Sequence, residues 1–189
     1  ASMATTKLLV DRGANVNAVN ELTFTPLCTA ISLRRRDMAS FLVDDCGASL
    51  GRVTPDGVDI QRTVLHRAAG GDDSDMIELL ADRGAAVDEL TSGGLDALHI
   101  SVSALSLSCL VKLLQKGATK GLDDALVRAV CDRPAAGMAL TLLRAGADPR
   151  FREAGPGGLS VLMNALCATN PSVAVIETLL VDGERRGGG

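Results

Sequence analysis

Apolar residues recur along this chain in short stripes at helical spacing, each closed by a glycine and an alanine. The clearest example runs from Thr63 to Asp88, TVLHRAAGGDDSDMIELLADRGAAVD. Thr63 suits the cap of a first helix, because its hydroxyl can accept from an otherwise unpaired amide of the first turn. Leu65, His66, Ala68 and Ala69 then form a small-residue face, which Gly70 and Gly71 interrupt. Met76, Ile77, Leu79 and Leu80 make a second helical stripe. Gly84 ends it, since glycine reaches the left-handed conformation without steric cost. Two helices this short cannot bury their own apolar faces. The pattern therefore predicts a unit that needs neighbours above and below.

The rest of the chain supplies them. The Gly-Ala ending recurs at Gly13-Ala14, Gly47-Ala48, Gly84-Ala85, Gly117-Ala118 and Gly146-Ala147, with intervals of 34, 37, 33 and 29 residues between successive glycines. Gly183 follows in phase, but Glu184 replaces the alanine. Helix openers are expected at Thr25, Thr63, Asp96, Asp124 and Ser160, all capping types. Two positions after each stands Leu27, Leu65, Leu98, Leu126 or Leu162. Five positions after each stands Ala30, Ala68, Ser101, Ala129 or Ala165. Pro134 and Gly137 are expected to disturb one outer helix, Asn170-Pro171 to open the last, and the tail from Gly183 to fray.

On these residues the chain resembles the ankyrin-repeat family. Thr25-Pro26-Leu27-Cys28-Thr29-Ala30, Thr63-Val64-Leu65-His66-Arg67-Ala68 and Asp96-Ala97-Leu98-His99-Ile100-Ser101 are similar to the family's T-P-L-H-x-A signature, and the period lies near its ~33 residues. The resemblance implies an all-α solenoid of stacked helix-turn-helix units with protruding loops. The expected repeats are 3–20 (outer helix only), 20–50, 51–88, 89–118, 119–148 and 149–183. The loop Gly51–Arg62, with Pro55-Asp56-Gly57, is enlarged, and Ala154–Gly158 is glycine-rich. A half-repeat at the start is what an excerpt from a longer protein would show.

Composition narrows the function. The chain has 189 residues, 47% hydrophobic, with three Phe, no Trp and no Tyr. A core of Leu, Val, Ala, Ile and Met is implied, and an aromatic cage for methylated lysine is not expected, since it needs several Trp or Tyr faces. The net charge of −4 argues against a general nucleic-acid binder. No long uncharged apolar run suggests a membrane span. The five cysteines, Cys28, Cys46, Cys109, Cys131 and Cys167, lack metal or C-x-x-C spacing and are expected to be small buried hydrophobes in an intracellular, reducing compartment. The two histidines, His66 and His99, fall at the signature's structural position. No catalytic constellation, metal set or phosphate loop is evident, so no enzyme activity and no cofactor are expected.

The resemblance implies partner binding on loop tips and on the concave face of the inner helices. Carried onto this sequence, the candidates are Phe24, Arg62, Leu90, Leu95 and Leu159 at the tips, and Ser32, Leu33, Gly70, Asp72, Ser103 and Asp132 on the groove side. Arg34-Arg35-Arg36 is either a solvated helix connection or a handle for an acidic peptide or phosphate. In the second case, replacing the three arginines by Glu is expected to weaken the partner and leave melting unchanged. The leading reading is a protein-interaction module. A regulatory or targeting portion of a larger enzyme, or an architectural spacer, are the alternatives.

Overall fold

The computed structural model describes residues 3–21, 24–51, 63–91, 93–131, 135–152, 158–168 and 171–185. Among them the chain forms eleven helices: α1 (Met3–Asp11), α2 (Pro26–Ser32), α3 (Arg36–Asp44), α4 (Val64–Gly70), α5 (Ser74–Asp82), α6 (Ala97–Ser103), α7 (Leu107–Gln115), α8 (Leu122–Cys131), α9 (Ala136–Ala145), α10 (Val161–Cys167) and α11 (Val173–Arg185). No strand occurs among the described residues, and an isolated backbone bridge joins Arg152 to Ser160.

Short helices of this kind do not persist alone. They persist here because each packs against its partner and its neighbours. α2, α4, α6, α8 and α10 stack successively into an inner layer, and α5, α7, α9 and α11 stack behind them. Leu27, Leu65, Leu98 and Leu126 are each buried to 1% exposure or less, while Leu162, in the last pair, is only half-buried. The small residues Ala30, Ala68, Ser101, Ala129 and Ala165 are buried between inner helices and let them approach closely. Ser101, polar in that row, satisfies its hydroxyl by donating to the Leu98 carbonyl at 2.7 Å.

The expected punctuation is largely present. Gly13, Gly47, Gly84, Gly117 and Gly146 all take positive φ, between 68° and 109°. The alanines after the last four of these are buried. Thr25, Asp96 and Ser160 cap α2, α6 and α10 through their side chains, accepting from Cys28, His99 and Met163 amides. Asp73 and Ser106 do the same for the outer helices α5 and α7.

Three expectations need correction. Asp124 is no cap: α8 begins at Leu122, placing Asp123 and Asp124 inside its first turn. The connection after Gly117 is too short for a loop, and two carboxylates at a helix start favour beginning it early. The Ala125 amide already bonds to the Gly121 carbonyl at 2.9 Å. Pro171 stands before α11, not in its first turn, and α11 runs on through Gly183 to Arg185. The expectations on Pro55-Asp56-Gly57, Pro134, Asn170 and Ala154–Gly157 lie outside the described residues.

Polar rungs tie neighbouring units. The Asn17 side chain accepts from the Ser49 amide at 2.8 Å, and that of Asp88 accepts from Thr119 and Lys120 amides at 2.9 and 3.3 Å. Across the outer layer Arg83 grips Asp44 with two bonds of 2.6 Å, and Lys112 and Lys116 reach Glu78 and Asp82. These pairs are partly exposed, so each adds little by itself. They favour one stacking register over its neighbours.

Candidate binding groove

An inner helix of seven residues is about 10 Å long. It therefore separates two lines of candidate residues. At the helix N-terminal ends stand the loop tips with Phe24, Leu90, Leu95 and Leu159. At the C-terminal ends stand Ser32, Leu33, Arg34, Gly70, Asp72 and Ser103. Arg62 and Asp132 lie outside the described residues.

The tips are closed locally. Asn20 and Phe24 exchange backbone and side-chain bonds of 3.1 and 2.9 Å, and Thr91 and Leu95 do so at 2.7 and 3.0 Å. These two tips are thus each closed on themselves. Leu90, Leu95 and Leu159 are 44%, 43% and 37% exposed, although nothing in the packing requires leucine there. Phe24 is half-buried, with the Arg67 guanidinium 3.9 Å from its ring centre. That cation–π contact joins one tip to α4.

The second line divides. Ser32, Gly70 and Ser103 are exposed, and so are Cys131 and Cys167 at the same helical position of α8 and α10. The expectation of buried cysteines therefore holds for Cys28 and Cys109 but not for this pair. Burial pushes the Cys109 thiol up, away from thiolate chemistry. Leu33 is the most exposed leucine of the line, at 61%.

The arginines are mostly engaged within the array. Arg34 donates to the Gly71 carbonyl. Arg36 pairs with Asp73 at 2.8 Å and Asp75 at 2.6 Å. Asp72, in the left-handed region at φ 52°, accepts from the Ser106 and Ser108 hydroxyls. Arg35 makes no ion pair among the described residues and borders a groove of about 230 Å³ with Thr29, Leu33 and Met38. An Arg36→Glu change would set a carboxylate beside two others, one of them buried. The expectation that charge reversal leaves melting unchanged is thereby corrected: Arg36 is a structural tie.

The two histidines occupy equivalent positions with different bonding. The Thr63 amide donates to His66 Nδ1 at 3.1 Å, so that nitrogen carries the lone pair and Nε2–H donates to the Leu95 carbonyl at 3.0 Å. His66 thereby pins the next loop tip. In α6 the capping residue is Asp96, whose carboxylate only accepts. His99 Nδ1 must therefore donate to it, at 2.9 Å, while the His99 amide bonds to the same oxygen. The neutral ring then carries its lone pair on Nε2, which makes no hydrogen bond among the described residues. The matching carbonyl of the next unit would be that of Asp123, which lies within α8. His99 instead borders a groove of about 480 Å³ with Leu95, Asp124, Val127 and Arg128.

Asp96 is 1% exposed. Burial pushes its carboxyl up, but the hydrogen bonds from His99 and the His99 and His66 charges outweigh this and hold it below the ordinary 3.8. Asp44 beside Arg83, and Asp72 under Ser106 and Ser108, are held low as well. Depressed carboxyls contribute stability in full above their unfolded values and lose it as pH falls through the folded ones. Urea midpoints measured below about pH 4 should fall steeply. Asp96→Ser should flatten that fall, and an unchanged slope would show that Asp96 does not contribute.

Sequence reasoning missed the rungs of Asn17 and Asp88. A signal existed: an Asn or Asp stands four residues after Gly13 and after Gly84. It missed the histidine tautomers too, although the change from Thr63 to Asp96 at the cap is what sets them.

No family model matches the chain. A stretch of 105 residues is 32% identical to the nuclear factor NF-kappa-B p105 subunit of Gallus gallus, taking in 54% of this chain and 10% of that protein. The fold is similar to the ankyrin repeat domain of Bcl-3, described as a unique member of the IkappaB family, at TM-score 0.75 and 27% identity over 95% of this chain and 77% of that one. It is also similar to the human ASB11 ankyrin repeat domain, at TM-score 0.72 and 22% identity over 96% and 79%.

Proposed function

The chain is an ankyrin-repeat protein, and from that premise we propose that it binds a partner protein or peptide along its loop tips and the concave surface of its inner helices. Ankyrin-repeat domains are generally protein-interaction modules. The observation that supports this surface is the display of Leu90, Leu95 and Leu159 at the tips, beside Leu33 on the groove side. Leucines exposed at successive tips support a contact strip, where isolated ones would not. Along the second line the inner helices end in the small exposed residues Ser32, Gly70, Ser103, Cys131 and Cys167, so a partner's backbone can approach closely there.

The repeats 20–50, 51–88, 89–118, 119–148 and 149–183, after a partial first one at 3–20, then each contribute one step of the strip. The acidic balance disfavours nucleic acid as the partner. The module acts without catalysis, inside the cell. No helix among the described residues is long and apolar enough to cross a membrane.

The test is affinity capture with three forms: the wild type, a Phe24/Leu95/Leu159→Glu variant, and an Arg144→Glu control on α9. The tip variant should lose the recovered proteins, and the control should keep them. Equal recovery by all three would refute the assignment of the surface.

A further inference from the structure

The groove between α6 and α8 is bordered by a histidine that has no carbonyl to hold. In the preceding unit His66 spends its Nε2–H on the Leu95 carbonyl. At His99 the cap is a carboxylate, the tautomer is reversed, and the shortened connection has drawn the next carbonyl into α8. An acceptor nitrogen is left on the wall of a groove of about 480 Å³ that opens beside the tip leucine Leu95.

We propose that this groove receives a lysine side chain of the partner, its ammonium donating to His99 Nε2. The inference rests on the reading of the concave face as the partner surface. The chemistry of the wall supports it. His99 Nε2 and the Asp124 carboxylate are acceptors, and an ammonium brings three donors. Leu95 and Val127 offer apolar surface to a lysine's methylene stem. Asp124 and Arg128, one helical turn apart on α8, bring one charge of each sign to the wall. The charge left over is that of Asp96, fixed behind the imidazole at 2.9 Å, and it favours a cation in front of the ring. The array's net charge of −4 has the same sign. A carboxylate in this place would face a lone pair backed by a negative charge.

This site reads donors and not charge alone. A trimethylated lysine keeps its charge but has no N–H to give, so it is refused.

The two histidines make the test simple. Long-range proton–nitrogen spectra of histidine-labelled protein, at about pH 8 where imidazoles are ordinarily neutral, should show opposite tautomers: the proton on Nε2 in His66 and on Nδ1 in His99. Nα-acetyl-lysine methylamide at millimolar concentration should displace the His99 Nε2 resonance and leave those of His66 in place. The trimethylated analogue and the glutamate derivative should not displace it. Asp96→Thr, which installs the cap that Thr25 and Thr63 already provide, should move the His99 proton to Nε2 and abolish the lysine response in a folded protein.

The proposal is overturned by an Nε2–H tautomer at His99 in the wild type, by no displacement with lysine, or by equal displacement with the trimethylated or glutamate compound. These readouts use no partner. A failed capture therefore leaves them standing, and their failure leaves the groove's assignment standing.

Discussion

Leu98→Ala is expected to lower the stability of the array by about 2–5 kcal/mol, the range for truncating a leucine in a core that cannot close over the gap. Leu98 is 1% exposed, on an inner helix stacked between α4 and α8 and backed by α7. The loss should not stay local. Each unit is stabilised mainly by contact with its neighbours, so weakening α6 uncouples the units on either side. Amide exchange should quicken through α4 and α8 as well as α6. A neutral change in the urea midpoint would show that the core register is wrong.

Gly121→Ala should cost about 2–4 kcal/mol, from overpacking together with loss of a helix cap. A Cβ built on Gly121 falls 1.8 Å from Asp96 Oδ2 and 2.5 Å from its Cγ. Those atoms belong to a short, buried side chain, not to the end of a flexible one. Asp96 can move aside only by releasing the His99 amide and ring that it accepts from. Serine at 96 retains a capping oxygen and removes the one that collides. It also removes a buried oxygen that has no hydrogen-bond partner. The Asp96→Ser, Gly121→Ala pair should therefore be more stable than the Gly121→Ala single variant, a coupling that a double-mutant cycle measures directly. Additive losses would place the strain elsewhere.

The architecture was legible where a residue's role is fixed by its own backbone. Gly47, Gly84 and Gly117 end their helices in the left-handed region. Thr25 and Ser160 cap theirs with oxygens three residues from the amide they serve. Leu65 and Leu98 follow at fixed distance because helical pitch fixes which face they occupy. Asp124 shows the limit of that logic. It has capping chemistry and the right spacing to Leu126, but the short connection from Gly117 starts α8 two residues before it.

The groove was less legible, because its chemistry depends on pairs of residues more than thirty positions apart. Nothing local indicates that Arg36 will meet Asp73, or that Asp72 will be held by Ser106. The arginine run therefore resembled a handle. The tip leucines were legible by a different route: Leu95 and Leu159 stand next to a cap, a place where the fold asks for no apolar group. His99 needed both kinds of information, the local exchange of Thr for Asp at the cap and the shortened unit that follows.

We propose that partners bind along the loop tips and the inner-helix face. Hydrogen-exchange footprinting of the array bound to a captured partner tests it most directly. Binding should slow exchange at the amides of the Thr91–Leu95 tip and along α4, α6 and α8, and leave α5, α7 and α9 unchanged. Slowing confined to the outer helices would contradict binding at that face.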